Sequence, residues 1–166
     1  MKRLYLVLRE CDSLLCRIIK WYQYGDNRVH IGIVYDMSDI RHPLVFEADN
    51  GKIGINKYDC NEMRFSYYYV YVDDRVFERD IFNRLVKRYL NKGYDYRGLL
   101  SFILRYDLGN SSKYFCSELV YEFLLYCGVG LFKNTKPYEV YPSLFLKSDK
   151  FREDIYLNNI IKKGRG

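Results

Sequence analysis

Three residues of this chain carry chemistry that their immediate surroundings do not call for: Cys116, His30 and Glu47. Cys116 lies within residues 111–128, SSKYFCSELVYEFLLYCG, after a polar stretch with helix-cap signals and at the head of an apolar run. Cys116, Leu119, Val120, Phe123, Leu124 and Cys127 fall on one face of a helix, and that face must pack inward. At a first helical turn, unpaired backbone N–H groups and the macrodipole favour negative charge. A thiol placed there has a physical reason to ionise, and the thiolate is the nucleophilic form. Taken alone, Cys116 also reads as a small buried apolar residue, like Cys127, and that plainer reading leads until a partner is found.

His30 supplies the partner. It interrupts the apolar run VHIGIVYD (residues 29–36), where a titratable side chain needs a reason. Strand alternation puts His30, Gly32 and Val34 on one face, and Gly32 leaves room for another group to approach. The other histidine, His42, precedes Pro43 in an expected exposed turn. A cysteine–histidine pair needs a third group to orient the imidazole. Glu47, in LVFEADNG, is the candidate; its plainer alternative is a cross-strand salt bridge at a sheet edge.

The elements that must position these residues follow from hydrophobic period and turn signals. Residues 5–8 read as a short strand, and Asp12 or Ser13 as the cap of a helix through about residue 21, in which Leu14, Leu15, Ile18 and Ile19 recur with helical period. Residues 29–36 form a buried strand, 43–58 a hairpin around Asp-Asn-Gly, and 65–74 a strand aromatic on both faces. Phe77, Ile81, Leu85 and Tyr89 then recur at helical spacing, predicting one helix over about 75–91 that stops near Gly93. Residues 94–106 read as an irregular turn and a short helix. The helix from Cys116 ends at Cys127, with Gly128 as its left-handed terminator. Strands followed by helices predict an α+β fold, a mostly antiparallel sheet with packed helices.

Four stretches in this order, HIGIVYD at His30, VFEADNGKIGI at Glu47, YDYRGLL at Tyr94 and YFCSELVYEFLLYCG around Cys116, resemble the permuted papain-like amidases of the NlpC superfamily, the YiiX-like branch. The resemblance runs over about residues 1–145. It implies a circularly permuted papain-like α+β fold in which the histidine strand precedes the nucleophile helix, with Cys116 as nucleophile, His30 as general base and Glu47 as the orienting group. It implies one domain over 1–166, with about 146–166 as a C-terminal extension. The expected activity is that of a cysteine peptidase or amidase, cleaving an amide bond of a peptide or peptidoglycan-like substrate with no cofactor and no metal. Relatives often carry a leader segment, and their opening stretch a Gly-Asp before a strand. Here Glu10-Cys11-Asp12 stands near that place without a glycine, and Tyr5 and Asp12 are cleft-lining candidates at most.

Two other functions stay open on the sequence. A lipid acyl hydrolase or acyltransferase on the same fold would need an apolar groove, which Tyr67 to Tyr71 supply if they are not core. A non-catalytic basic module would bind an anionic partner through the excess of 27 Lys and Arg over 21 Asp and Glu, a net charge of +6, but it gives no account of His30. Charges of both signs are interleaved, so nucleic acid is not an expected partner, and the basic tail at residues 162–165 reads as a frayed terminus. Composition, 49% hydrophobic and 29% charged with 19 Tyr, is that of a globular chain whose many tyrosines place their hydroxyls on polar partners. Five cysteines without a CxxC pair argue against structural zinc. Their odd number, with an apolar N-terminal patch too short for a secretory core or membrane span, leads us to expect free thiols in a cytoplasmic setting.

Overall fold

The structure, a computed structural model, describes residues 1–49, 51–78, 80–94 and 113–164. Its frame is one eight-stranded sheet: β1 (Lys2–Glu10), β2 (Arg28–Asp36), β3 (Leu44–Asp49), β4 (Lys52–Lys57), β5 (Phe65–Val72), β6 (Gly93–Tyr94), β7 (Lys113–Tyr114) and β8 (Arg152–Glu153), in the order β7-β6-β4-β3-β2-β1-β5-β8. Every pairing is antiparallel except β6 with β7. Among the described residues five α-helices accompany it: α1 (Leu14–Tyr22), α2 (Arg75–Glu78), α3 (Ile81–Tyr89), α4 (Cys116–Tyr126) and α5 (Ile155–Lys163). The α+β class is therefore as expected.

Alternation along the central strands divides the interior in two. Leu4, Leu6 and Leu8 of β1, Ile31 and Ile33 of β2, and Phe46 and Ala48 of β3 join Leu119, Val120, Phe123 and Leu124 of α4 in the larger core. Val7, Val34, Val45, Tyr67 and Ile161 lie in a second cluster. By the same period of two, His30, Gly32 and Glu47 belong with the second set. Five of α4's eleven residues, Cys116, Leu119, Val120, Phe123 and Leu124, are buried as the expected inward face, but Ser117 and Tyr121 are buried too, so the helix is enclosed on most sides. It ends as expected: Gly128 takes φ 78°, and the Val129 N–H donates to the Leu124 carbonyl at 2.8 Å.

Several expectations are corrected. The single helix over 75–91 is two, α2 and α3, because Asp80 stands in the left-handed region at φ 54° between them. Asn91, at φ 66°, turns the chain after α3, ahead of Gly93. The helix from Ser13 forms, with the Ser13 hydroxyl accepting from the Cys16 N–H at 3.2 Å, but its inner face carries Cys16 and Ile19, while Leu14 and Ile18 point outward. Cys11 and Cys16 form a disulfide, so the expectation of free thiols holds only for Cys60, Cys116 and Cys127. A spacing of five residues had given no motif to flag it. Tyr67 and Tyr68 are buried, which makes that run mainly core. The helix expected within 94–106 lies outside the described residues from 95 onward.

The segment read as an extension is built into the body. Strand β8 pairs with β5, Phe145 and Phe151 enter the larger core, and the buried Asn158 side chain accepts from the Tyr67 N–H at 2.6 Å and donates to the Tyr67 carbonyl at 3.2 Å. Lys162 and Lys163 close the last turn of α5, where cations oppose the negative end of the helix dipole.

Candidate active site

Strand β2 presents His30, β3 presents Glu47, and the head of α4 presents Cys116. The β2–β3 ladder runs from Asp36–Leu44 to Ile33–Phe46, so Gly32 and His30 lie beyond its last pair while still bonded to β1 through Val7 and Arg9. There the imidazole meets both other groups. His30 Nε2 is 2.7 Å from Glu47 Oε2, and the Cys116 thiol lies near enough to the same ring to bear on its charge. With Nε2 engaged by the carboxylate, Nδ1 is the nitrogen left for sulfur. All three are enclosed: Glu47 is 0% exposed, Cys116 2% and His30 6%.

Gly32 makes this approach possible. A Cβ on it would stand 2.4 Å from Val45 Cγ1, 3.2 Å from Glu47 Cβ and 3.3 Å from Glu47 Oε2. A side chain there would collide with Val45 and press on Glu47, so the glycine expected to leave room does so for the strand that carries the carboxylate.

A buried carboxylate is costly unless its oxygens are bonded, and Glu47's are. The Tyr58 hydroxyl donates to Oε2 and the Asn56 amide to Oε1 at 2.9 Å. The Arg9 guanidinium lies 5.3 Å from the Tyr58 ring centroid and pairs with Asp49 at 2.9 Å. Burial alone would raise the Glu47 carboxyl, but the His30 charge, the His30 bond, Arg9 and Tyr58 overcome it and hold the group below its ordinary value. Tyr58 is pushed well above its ordinary value by burial and by the neighbouring carboxylate, so it stays a donor. For His30, burial works to discharge the ring. Only together do the charges of Cys116 and Glu47 and the polar contacts of both with the ring outweigh burial, raising the imidazole from 6.5 to about 10. At neutral pH the ring holds its proton between two acidic groups.

Tyr58, Asn56 and Arg9 were missed in the sequence, and a signal for them existed. Glu47 faces Gly54 across the hairpin, so Gly54, Asn56 and Tyr58 share its side of the sheet. Arg9 is the cross-strand partner of His30. Cys127, the other cysteine of the α4 face, lies far along the helix with its thiol pushed up to about 12 by burial. His42 plays no part here: its Nδ1 is 2.7 Å from Asp39 in a turn. Tyr5 binds Asp154 at 3.3 Å, and Asp12 lines a separate surface groove with Arg9, Arg17 and Trp21.

The head of α4 is set by its surroundings. Its cap residue, Phe115, offers no side-chain bond to the first-turn N–H groups. The buried Ser117 hydroxyl donates to the Val140 carbonyl at 2.6 Å, fixing the helix start against the following segment. His30, Glu47 and Asp49 bring possible metal-ligand atoms within 4.8 Å of one another, but imidazolium and guanidinium already neutralise these carboxylates, which disfavours a cation.

No family model matches the chain, and no curated protein matches it.

Proposed function

We propose that this protein is a cysteine hydrolase of the peptidase or amidase type, with Cys116 as nucleophile, His30 as acid and base, and Glu47 as the group that orients and charges the imidazole. One observation carries the reading: a single buried imidazole stands between a thiol at a helix start and a fully enclosed carboxylate. The order His30, Glu47, Cys116 along an α+β chain supports a circularly permuted papain-like architecture of the NlpC type.

The chemistry follows from the charges. The Cys116 thiolate attacks the amide carbonyl carbon, and the carbonyl electron pair moves to oxygen. First-turn N–H groups of α4, including that of Cys116, stabilise this oxyanion. As the C–N bond breaks, the His30 imidazolium gives its proton to the leaving nitrogen. Water then attacks the thioester, His30 takes the water's proton, and sulfur departs as thiolate. Glu47 keeps its charge throughout. The expected substrate is a peptide or a peptidoglycan-like amide. The same steps would open an ester, the lipid acyl alternative.

Iodoacetamide labelling, read cysteine by cysteine by mass spectrometry, tests the assignment. Cys116 should label faster than Cys60 and Cys127 at neutral pH and lose that advantage in His30→Ala. Equal rates for Cys116 and Cys60 in the folded wild type would remove the nucleophile from the proposal.

A further inference from the structure

Helix α1 is apolar on the side that faces away from the protein. Cys16 and Ile19 pack inward with Val29, and that accounts for its attachment. Yet Leu14 is 75% exposed, Ile18 37%, Trp21 77% and, just past the helix, Tyr24 89%. Leu14, Ile18 and Trp21 recur at i, i+4 and i+7, so they form one outward stripe. The helix's two charged residues, Arg17 and Lys20, are both basic and lie on one flank of that stripe, and the helix has no acidic residue. Tyr24 holds φ 61° and Gly25 φ 89°. The left-handed Tyr24 terminates the helix, its N–H donating to the Trp21 carbonyl and that of Gly25 to the Lys20 carbonyl, and its ring stands in solvent.

The stripe continues into more aromatic surface. Trp21, Tyr22, Tyr24 and Tyr141 line one open depression, Tyr22 packs edge-on against Tyr141 at 6.0 Å, and Lys147 reaches the Tyr141 hydroxyl at 3.3 Å. Trp21 and Tyr24 also border the groove that holds Arg9, Arg17, Lys20 and Arg64; its acids Glu10, Asp12 and Glu62 offset part of that charge, Glu10 by pairing with Arg64 at 3.9 Å. Exposed Trp and Tyr beside Leu and Ile, rimmed by Lys and Arg, are the composition of a helix lying in the interface of a bilayer. Among the described residues no helix is long and apolar enough to cross a membrane, so the contact would be peripheral.

We infer that the outer face of α1, with Trp21 and Tyr24 at its end, docks on the surface of an anionic lipid bilayer. The inference stands apart from the catalytic reading and rests on none of Cys116, His30 and Glu47; Arg9, whose charge bears on Glu47, only lines the neighbouring groove. Docking would place the Arg9 groove against the membrane.

Trp21 is the only tryptophan in the chain, so its emission reports on this surface alone. Vesicles of phosphatidylcholine with phosphatidylglycerol should shift that emission to the blue and shield it from acrylamide, whereas phosphatidylcholine alone should do so far less. Arg17→Ala with Lys20→Ala should weaken partitioning about thirtyfold, at about fivefold for each basic residue. Leu14→Gln with Ile18→Gln keeps the fluorophore and should weaken it at least tenfold, and Cys116→Ser should leave it unchanged. The four substitutions on α1 are at exposed positions, and unaltered far-ultraviolet circular dichroism confirms the fold. The inference is overturned by an emission unaffected by anionic vesicles, by a blue shift that both double variants retain, or by shielding that rises with protein concentration without lipid, which would make a second copy the occupant.

Discussion

Replacing Glu47 by Gln separates the carboxylate's charge from its shape. The amide oxygen can take the place of Oε2 and accept from both His30 Nε2 and the Tyr58 hydroxyl, while the new NH2 group faces Asn56, whose amide can turn to present its oxygen. The ring therefore keeps its place but loses one of the two charges that hold its proton. A hydrogen bond to a charged partner contributes about 1.5–3 kcal/mol, and about 1.4 kcal/mol corresponds to one pH unit. The His30 imidazole, now giving up its proton at about 10, should do so about one to two pH units lower in Glu47→Gln. The assay is the pH dependence of the His30 Cε1–H resonance in wild type and variant, with His42, which lies outside the site, as the reference resonance. If the two titrations coincide while the fold is unchanged, Glu47 does not set the charge of the imidazole, and the electrostatic account of the site fails.

Gly32→Ala should destabilise the protein by about 1–3 kcal/mol, as overpacking does, because its Cβ meets Val45 and Glu47; urea unfolding measures it, and a neutral result would mean β2 and β3 are not this close. Tyr58→Phe removes a donor from a fully enclosed carboxylate and should cost about 1–3 kcal/mol, with the Glu47 carboxyl moving up and hydrolysis slowing. Under the proposed mechanism, in which His30 gives its proton to the leaving nitrogen, kcat/KM should fall as pH rises through about 10. The same raised value has a stability consequence of defined sign. His30's contribution is fully present below its unfolded value of 6.5 and is lost as pH climbs through about 10, so wild type should exceed His30→Gln in unfolding free energy at pH 6 and lose that margin above pH 10.

Much of the architecture was legible because it rests on local rules. The hairpin declared itself through Asp-Asn-Gly, and its strands lie where the alternation put them, at Leu44–Asp49 and Lys52–Lys57. Helix α4 was readable from its apolar spacing and from Gly128 beyond it. The errors came where a local pattern had two physical solutions. Leu14 and Ile18 have helical period, but period alone does not say which of two apolar faces finds a core, and Cys16 with Ile19 occupies it. The run from 75 to 91 has continuous helical spacing, yet Asp80 turns left-handed and splits it.

The sequence by itself determined which side chains could react and which face of each element they share, since residue type and the periods 2 and 3.6 are properties of the chain alone. Only the tertiary structure decided that an early imidazole, a middle carboxylate and a late thiol become neighbours, because their separations of 17 and 69 positions are spanned by no local rule. It also decided what surrounds them. The enclosure of Glu47, the donors Tyr58 and Asn56 and the field of Arg9 all depend on how strands stack beside one another, and they give the buried ring the environment in which it keeps its proton.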